Sequence, residues 1–112
     1  MHELAIAQTI VEAVSEHTQG ACVSVVQLRV GKLAGVVPDA VRFCFELVAE
    51  GTALQGARLD IEEPEGRARC RGCASEFAVP DLVLLCPCGS AEVDLLGGRE
   101  LSVTSVEVAA HV

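Results

Sequence analysis

The stretch that decides the organisation of this chain lies at residues 67–89 and reads RARCRGCASEFAVPDLVLLCPCG. It contains two cysteine pairs, Cys70 with Cys73 and Cys86 with Cys88. The two-residue gap of the first pair lets both sulfurs reach one metal ion, and Gly72 eases the tight turn between them. Because four thiolates complete a tetrahedral site, the pattern predicts a structural zinc centre. Iron is the chief chemical rival, since tetrahedral sulfur ligation suits both metals.

The second pair, Cys86-Pro87-Cys88, is one residue shorter than the usual C-x-x-C. The tighter spacing predicts either a strained pair or the loss of one backbone N–H···S hydrogen bond, and Pro87 also removes a donor. A redox-active dithiol and four thiols without a metal remain open as alternatives. A redox C-x-x-C is expected directly after a strand and at the start of a helix, and the sequence around Cys70 indicates neither. A closed four-sulfur zinc site has no open position, so we do not expect it to be catalytic.

Two stretches outside this module have the apolar spacing of amphipathic helices, residues 3–18 and residues 38–50. Pro38 opens the second helix, where its missing N–H costs nothing, and Gly51 ends it. The expected buried stripes are Leu4, Ala7, Ile10, Val11 and Val14 in the first helix, and Val41, Cys44, Phe45 and Val48 in the second.

Three further stretches are typical of β-strands, residues 22–30, 57–63 and 100–108. In the first, Val26, Leu28 and Val30 are expected to face the core. In the last, the apolar positions change parity between Leu101-x-Val103 and Val106-x-Val108. That change predicts a β-bulge or a two-sided strand.

The order of these elements predicts an α+β fold with two helices packed on a three-stranded sheet. A small four-cysteine zinc domain, residues 66–98, is inserted before the last strand. Residues 1–65 and 99–112 then form the main domain. The insertion has few large apolar residues, so we expect metal binding to supply folding free energy, about 10–16 kcal/mol in zinc-finger peptides.

Composition narrows the possible partners. The 112-residue chain has a formal charge of −8, and only 3% of its residues are aromatic. An acidic surface repels phosphate backbones and offers little for base stacking, which argues against nucleic acid. No run approaches the ~20 apolar residues of a membrane span, and the N-terminus lacks the basic region of a secretory signal. We therefore expect a cytoplasmic protein, with Cys22 and Cys44 as buried small hydrophobic residues rather than disulfide partners.

The N-terminal Met1-His2-Glu3 offers a second metal site. The Met1 amine and the His2 amide close a five-membered chelate ring, and the His2 amide and Nδ1 close a six-membered one. A deprotonated amide with two such rings favours square-planar geometry, which suits Ni(II) or Cu(II) rather than Zn(II). Glu3 is a candidate fourth ligand. A terminal histidine also occurs at frayed chain ends, so the residues alone leave both interpretations open.

The chain as a whole resembles the HypA/HybF family of hydrogenase nickel-incorporation proteins. Besides the cysteine module, the matching motifs are Met1-His2-Glu3-Leu4, Leu28-x-Val30-Gly31-x-Leu33, Val41-Arg42-Phe43-Cys44-Phe45-Glu46, Gly51-Thr52-x-x-x-Gly56-Ala57 and Ser105-Val106-Glu107-Val108.

The resemblance implies a nickel metallochaperone that delivers Ni(II) to the large subunit of [NiFe]-hydrogenase with a GTPase partner, HypB. In some relatives the nickel also serves urease. The family's nickel ligation maps onto His2, with Glu3 and the Met1 amine as co-ligands, and Asp39 falls near an acidic position of some relatives. Its zinc ligation maps onto Cys70, Cys73, Cys86 and Cys88. Such a protein is not an enzyme, and we expect a monomer or weak homodimer.

Two rival functions follow from the residues. A zinc-ribbon interaction adaptor without a nickel role would bind one metal per chain and would not need His2. The second rival is an enzyme, either a thiol oxidoreductase or a rubredoxin-like electron carrier. The sequence shows no nucleophile–base pair, no glycine-rich phosphate loop and no open catalytic metal site, which argues against catalysis.

Overall fold

The computed structural model describes residues 2–109 of the chain. Across that part of the chain, two helices and six strands form an α+β arrangement, which confirms the predicted fold class. In chain order the elements are α1 (Glu3–His17), β1 (Val23–Val30), α2 (Pro38–Ala49), β2 (Arg58–Glu62), β3 (Gly66–Cys70), β4 (Glu76–Val79), β5 (Val93–Gly97) and β6 (Leu101–Val108).

The first sheet has the strand order β2-β1-β6. β1 pairs with β2 in parallel, because α2 provides the crossover that a parallel pair requires, and it pairs with β6 antiparallel. Val26, Leu28 and Val30 are buried as predicted, and they share one core with the side chains of both helices. Phe45 of α2 is the largest side chain in that core and is 1% exposed.

The helices bury most of the predicted positions. Ala7, Ile10, Val11 and Val14 of α1 are buried, but Leu4 is 51% exposed, so that part of the prediction is wrong. The reason is geometric. A helical side chain leans toward the N-terminus, and Leu4 in the first turn therefore projects past the surface that the sheet covers. In α2, Cys44 is only half-buried, and Ala49 is fully buried at the end of the stripe.

The change of parity in β6 is a β-bulge, as the sequence predicts. Gln27 pairs with Ser105 and the next residue, Leu28, pairs with Val103, so Thr104 has no partner of its own on β1. The Thr104 hydroxyl instead donates a hydrogen bond to the Gln27 carbonyl oxygen at 3.4 Å. The extra residue keeps the apolar side chains before and after it on the same face of the sheet.

The second sheet has the order β4-β3-β5, with both pairings antiparallel. The sequence did not predict these strands. β3 does alternate between buried and exposed residues, but its buried positions are Gly66, Ala68 and Cys70. Small side chains of this kind give almost no hydrophobic periodicity, which is the signal on which a strand prediction depends.

Leu33 joins the two sheets. It lies in the loop after β1, yet it packs with Ala68 and Val79 in the small core of the second sheet. Its N–H donates to the Gly98 carbonyl at 2.7 Å, and the Lys32 N–H donates to Pro64 at 3.0 Å. Gly98 adopts φ +114°, and a Cβ there would lie 2.5 Å from the Gly66 Cα. The two glycines are therefore needed for the backbones to approach at this joint.

Candidate metal centres

The cysteine centre lies at the end of the second sheet. Cys70 is the last residue of β3, and a turn closed by the Ala74 N–H on the Cys70 carbonyl carries the chain through Cys73. A second turn, closed by the Gly89 N–H on the Cys86 carbonyl, presents Cys86 and Cys88. These two turns thus supply the four thiols, and two of them, Cys70 and Cys86, are buried.

The four sulfurs converge on one point. All the Sγ atoms lie within 4.8 Å of one another, and in the described part of the chain this is the single such group of three or more possible metal ligands. The Sγ atoms of Cys70 and Cys88 are 3.8 Å apart, and those of Cys73 and Cys86 are 3.6 Å apart. A zinc–sulfur distance of about 2.3 Å puts the edge of a thiolate tetrahedron at about 3.8 Å. The donors and their spacing therefore fit a tetrahedral metal ion.

The shortened second pair still forms an N–H···S contact. The Cys88 N–H donates to the Cys86 sulfur at 3.5 Å, and in the first pair the Cys73 N–H donates to the Cys70 sulfur at 3.4 Å. Each buried sulfur therefore accepts one backbone N–H from the exposed cysteine of its own pair. Hydrogen bonds of this kind stabilise the thiolate over the thiol.

Hydrogen bonds and burial give the thiols different acidities. The Ser75 hydroxyl, 2.8 Å from the Cys73 sulfur, and the Ser75 backbone lower the pKa of Cys73 to about 6. At Cys86 the Cys88 N–H lowers the pKa, but burial and the neighbouring sulfurs outweigh it and raise the pKa to about 12. Ser75 is a residue that the sequence interpretation missed, and its only signal is its position two residues after Cys73.

One argument against a redox dithiol was based on a wrong expectation. The sequence around Cys70 indicated no preceding strand, whereas Cys70 is the last residue of β3. The strand escaped prediction because its buried side chains are small. After Cys73, however, the chain enters β4 rather than a helix. The helix N-terminus that lowers the pKa of redox cysteines is thus missing at this pair.

The N-terminal candidate site lies at the start of α1. His2 is exposed and adopts φ 49°, and its carbonyl accepts the Ile6 N–H at 3.0 Å in the first helical hydrogen bond. The Glu3 carboxylate accepts the Val37 N–H at 3.4 Å, which places the chain end beside the first turn of α2. The Met1 amine lies outside the described residues. Val37 was not singled out from the sequence, although it directly precedes Pro38, the first residue of α2.

The remaining candidates lie apart from the cysteine centre. Asp39 is exposed in the first turn of α2 and forms an ion pair with Arg42 at 3.0 Å. Cys22 is exposed and Cys44 is half-buried, so the prediction that both are buried is wrong. Cys22 directly precedes β1, beyond the surface that the helices cover. No helix in the described residues is long and apolar enough to cross a membrane.

The fold and the four-cysteine group define a small two-sheet metal-binding protein. Residues 1–108 match the family described as "Hydrogenase/urease nickel incorporation, metallochaperone, hypA". The chain belongs to the HypA family. Its members are nickel metallochaperones of hydrogenase maturation, so the protein is a maturation factor and not an enzyme.

Relatives and solved structures agree with this assignment. The chain is 46% identical over 108 residues to "Hydrogenase maturation factor HypA" of Nostoc sp. (strain PCC 7120), with 96% of each chain covered. It is 51% identical over 113 residues to the factor of the same name from Streptomyces avermitilis, with 95% of this chain and 86% of the relative covered.

The fold is similar to that in "Solution structure of the Ni metallochaperone HypA from Helicobacter pylori", with a TM-score of 0.65, 22% identity and 99% and 100% of the two chains covered.

Proposed function

We propose that this protein captures Ni(II) at Met1-His2-Glu3 and hands it over for the maturation of [NiFe]-hydrogenase. The observation that supports this best is the position of His2, exposed at the first turn of α1 and next to a carboxylate held by α2. The first four N–H groups of a helix have no partner within the helix. Coordination of the His2 amide nitrogen therefore breaks no helical hydrogen bond.

The helix end also favours the chemistry of the chelate. A deprotonated amide is an anion, and the positive end of the α1 dipole stabilises negative charge. The Met1 amine, the His2 amide and the His2 imidazole form two fused chelate rings, and Glu3 supplies a fourth ligand. A square-planar arrangement of these four ligands suits Ni(II). Because protons compete for the same nitrogens, acid is expected to release the nickel.

The cysteine centre is proposed to hold a structural zinc ion through Cys70, Cys73, Cys86 and Cys88. The Sγ spacing supports a tetrahedral ion, and the small core of Leu33, Ala68 and Val79 supports a need for it. A core of that size contributes little folding free energy by burial. The metal would cross-link the two turns and hold the strands together. Four protein ligands leave no position for substrate.

We assign the two tasks to two units. Residues 1–65 and 99–112 form the nickel-binding domain, and residues 66–98 form an inserted zinc-binding domain. The two separate sheets support this division, and Leu33 packs across the joint between the units. The receiving partners are proposed to be the GTPase of nickel insertion, HypB, and the large subunit of [NiFe]-hydrogenase, in the cytoplasm. The formal charge of −8 suits basic surfaces on such partners.

The test is a nickel titration of untagged protein with a native N-terminus, with zinc counted by elemental analysis. His2→Ala is compared with His17→Ala, which removes another exposed histidine from the opposite end of the same helix. We expect one zinc in all three proteins, and a square-planar Ni(II) spectrum that only His2→Ala loses. Equal nickel binding by both variants would move the site elsewhere. No specific nickel binding in any protein would favour the zinc-ribbon adaptor.

A further inference from the structure

The two turns of the cysteine centre place a serine at the same point. Ser75 lies two residues after Cys73, and Ser90 lies two residues after Cys88. In both turns the carbonyl of that serine accepts the N–H of the buried cysteine of the same pair, at 2.9 Å. The backbone therefore brings one serine close to each exposed cysteine, and the two turns differ in what the serine side chains do.

The two serine hydroxyl groups have different partners. The Ser75 oxygen lies 2.8 Å from the Cys73 sulfur. The Ser90 oxygen instead accepts the Glu92 N–H at 3.1 Å. Among the described residues, no N–H or hydroxyl group donates to the Cys88 sulfur, whose contact is with another cysteine sulfur. In this part of the chain, one exposed sulfur therefore has a hydroxyl partner and the other lacks one.

Exposure limits the reaction with outside molecules to the same two sulfurs. Cys73 and Cys88 are exposed, whereas Cys70 and Cys86 are buried. Gly89 directly follows Cys88, and beyond its own chain neighbours no atom lies within 4 Å of the point where a Cβ would be. The space beside Cys88 is therefore open to a small molecule.

We propose, on the basis of the proposed zinc site, that Cys88 is the cysteine of the loaded centre that reacts with electrophiles, and that the Ser75 hydroxyl protects Cys73 from them. Each cysteine that binds a metal is a thiolate without a proton, so the Ser75 hydroxyl is the donor in its contact with Cys73. A hydrogen bond that stabilises the charge of a thiolate also lowers its nucleophilicity. Cys88 lacks this bond and keeps its full nucleophilicity.

The reaction of Cys88 with N-ethylmaleimide needs no further reagent. The electron pair of the thiolate forms an S–C bond to one alkene carbon, the C=C π bond breaks, and the other carbon takes a proton from water. The product is a neutral thioether, which lacks the charge that makes a cysteine sulfur a metal ligand. Modification at Cys88 therefore leaves three thiolates in the centre, and we expect the metal to be released.

The experiment uses the zinc-loaded chain with Cys22→Ser, because Cys22 is exposed and would consume the reagent. Zinc is first counted by elemental analysis. The protein then reacts with less than one equivalent of N-ethylmaleimide, tandem mass spectrometry locates the label, and a metal-sensitive dye follows zinc release. We expect about tenfold more label on Cys88 than on Cys73, as is typical of one hydrogen bond to a charged group. Zinc release should keep pace with the labelling of Cys88.

Three substitutions test the role of the serine. Ser75→Ala removes the hydrogen bond, so label on Cys73 should rise about tenfold and approach that on Cys88. Ser75→Thr keeps a hydroxyl group and should keep the preference for Cys88. Ser90→Ala is the matched control, since it removes the serine hydroxyl at the same position of the other turn. A general loosening of the centre would instead raise labelling of the buried cysteines and lower the zinc content before any reagent is added.

Equal labelling of Cys73 and Cys88 in the parent protein overturns the proposal, and so does a Cys88 that stays unmodified while zinc is bound. A change of the same size in Ser75→Ala and Ser90→Ala overturns the protective role of Ser75. An isolated protein that holds no zinc would overturn the zinc site itself, and the assignment of Cys88 with it.

Discussion

The backbone N–H of Val37 donates a hydrogen bond to the Glu3 carboxylate at 3.4 Å, although 34 positions separate the two residues. The contact ties the chain end to the N-terminal end of α2, where the helix dipole favours negative charge. It keeps a carboxylate next to the proposed nickel ligands of Met1-His2. The proposed nickel site is therefore not only a free tail, since the folded domain holds the carboxylate of one proposed ligand.

Replacing Glu3 with glutamine tests this role. The amide oxygen of Glu3→Gln still accepts the Val37 N–H, but the negative charge is lost. We expect nickel affinity to fall about tenfold, as is typical when a group that supports a metal site is changed. Glu12→Gln on the exposed side of α1 is the control. Calorimetric titration measures both, and equal affinities for the two variants would exclude the carboxylate as a co-ligand.

Zinc retention should depend on the cysteine centre alone. Cys73→Ser removes one of four ligands, and we expect zinc content to fall from about one per chain to far less than half. Cys22→Ser, at an exposed cysteine before β1, should keep its zinc. In NMR spectra of Cys73→Ser, amide signals of residues 66–98 should collapse while those of β1 stay dispersed. Full zinc content in the Cys73 variant would contradict the proposed ligand set.

Two glycines with positive φ allow the energetic cost of the backbone conformation to be measured apart from the cost of close packing. Gly51 has φ +76° with nothing near its missing Cβ, whereas Gly98 has φ +114° and faces the Gly66 backbone. Gly51→Ala should cost about 1–2 kcal/mol of unfolding free energy, the usual penalty for that conformation. Gly98→Ala should cost at least about 2 kcal/mol more, because the joint with Leu33 must also move. Urea unfolding measures both, and similar values would show that the joint has room.

The Arg58–Asp60 ion pair predicts how the stability of the folded chain depends on pH. A hydrogen bond from Arg58 to the Asp60 carboxylate, at 2.8 Å, lowers the pKa of Asp60 below its ordinary value. A lowered pKa in the folded state adds stability that is present above the unfolded pKa and is lost as pH falls through the folded pKa. Carboxyl NMR titration should place the Asp60 pKa below about 3.9, and Arg58→Gln should raise it. Asp60 is exposed enough for salt to weaken the effect.

Several parts of the fold could be predicted because the sequence pattern that specifies them is local. The apolar spacing of residues 3–18 and the proline at position 38 indicated α1 and α2, and the parity change in β6 indicated its bulge. Where the signal was weak, prediction failed. β3 buries Gly66, Ala68 and Cys70, and such small residues do not produce the periodicity that marks a strand. Leu4 fits a helical stripe, but its exposure depends on where the sheet ends.

By itself, the sequence determined the α+β class, the order of the main elements and the four cysteines that belong together, because spacing and periodicity are properties of neighbouring residues. Only the tertiary structure decided that their sulfurs lie at tetrahedral spacing, that Val37 holds Glu3, and that Leu33 packs in the core of the other sheet. These contacts join residues far apart in the chain. Their distances depend on how whole strands and helices pack, and no local pattern encodes that packing.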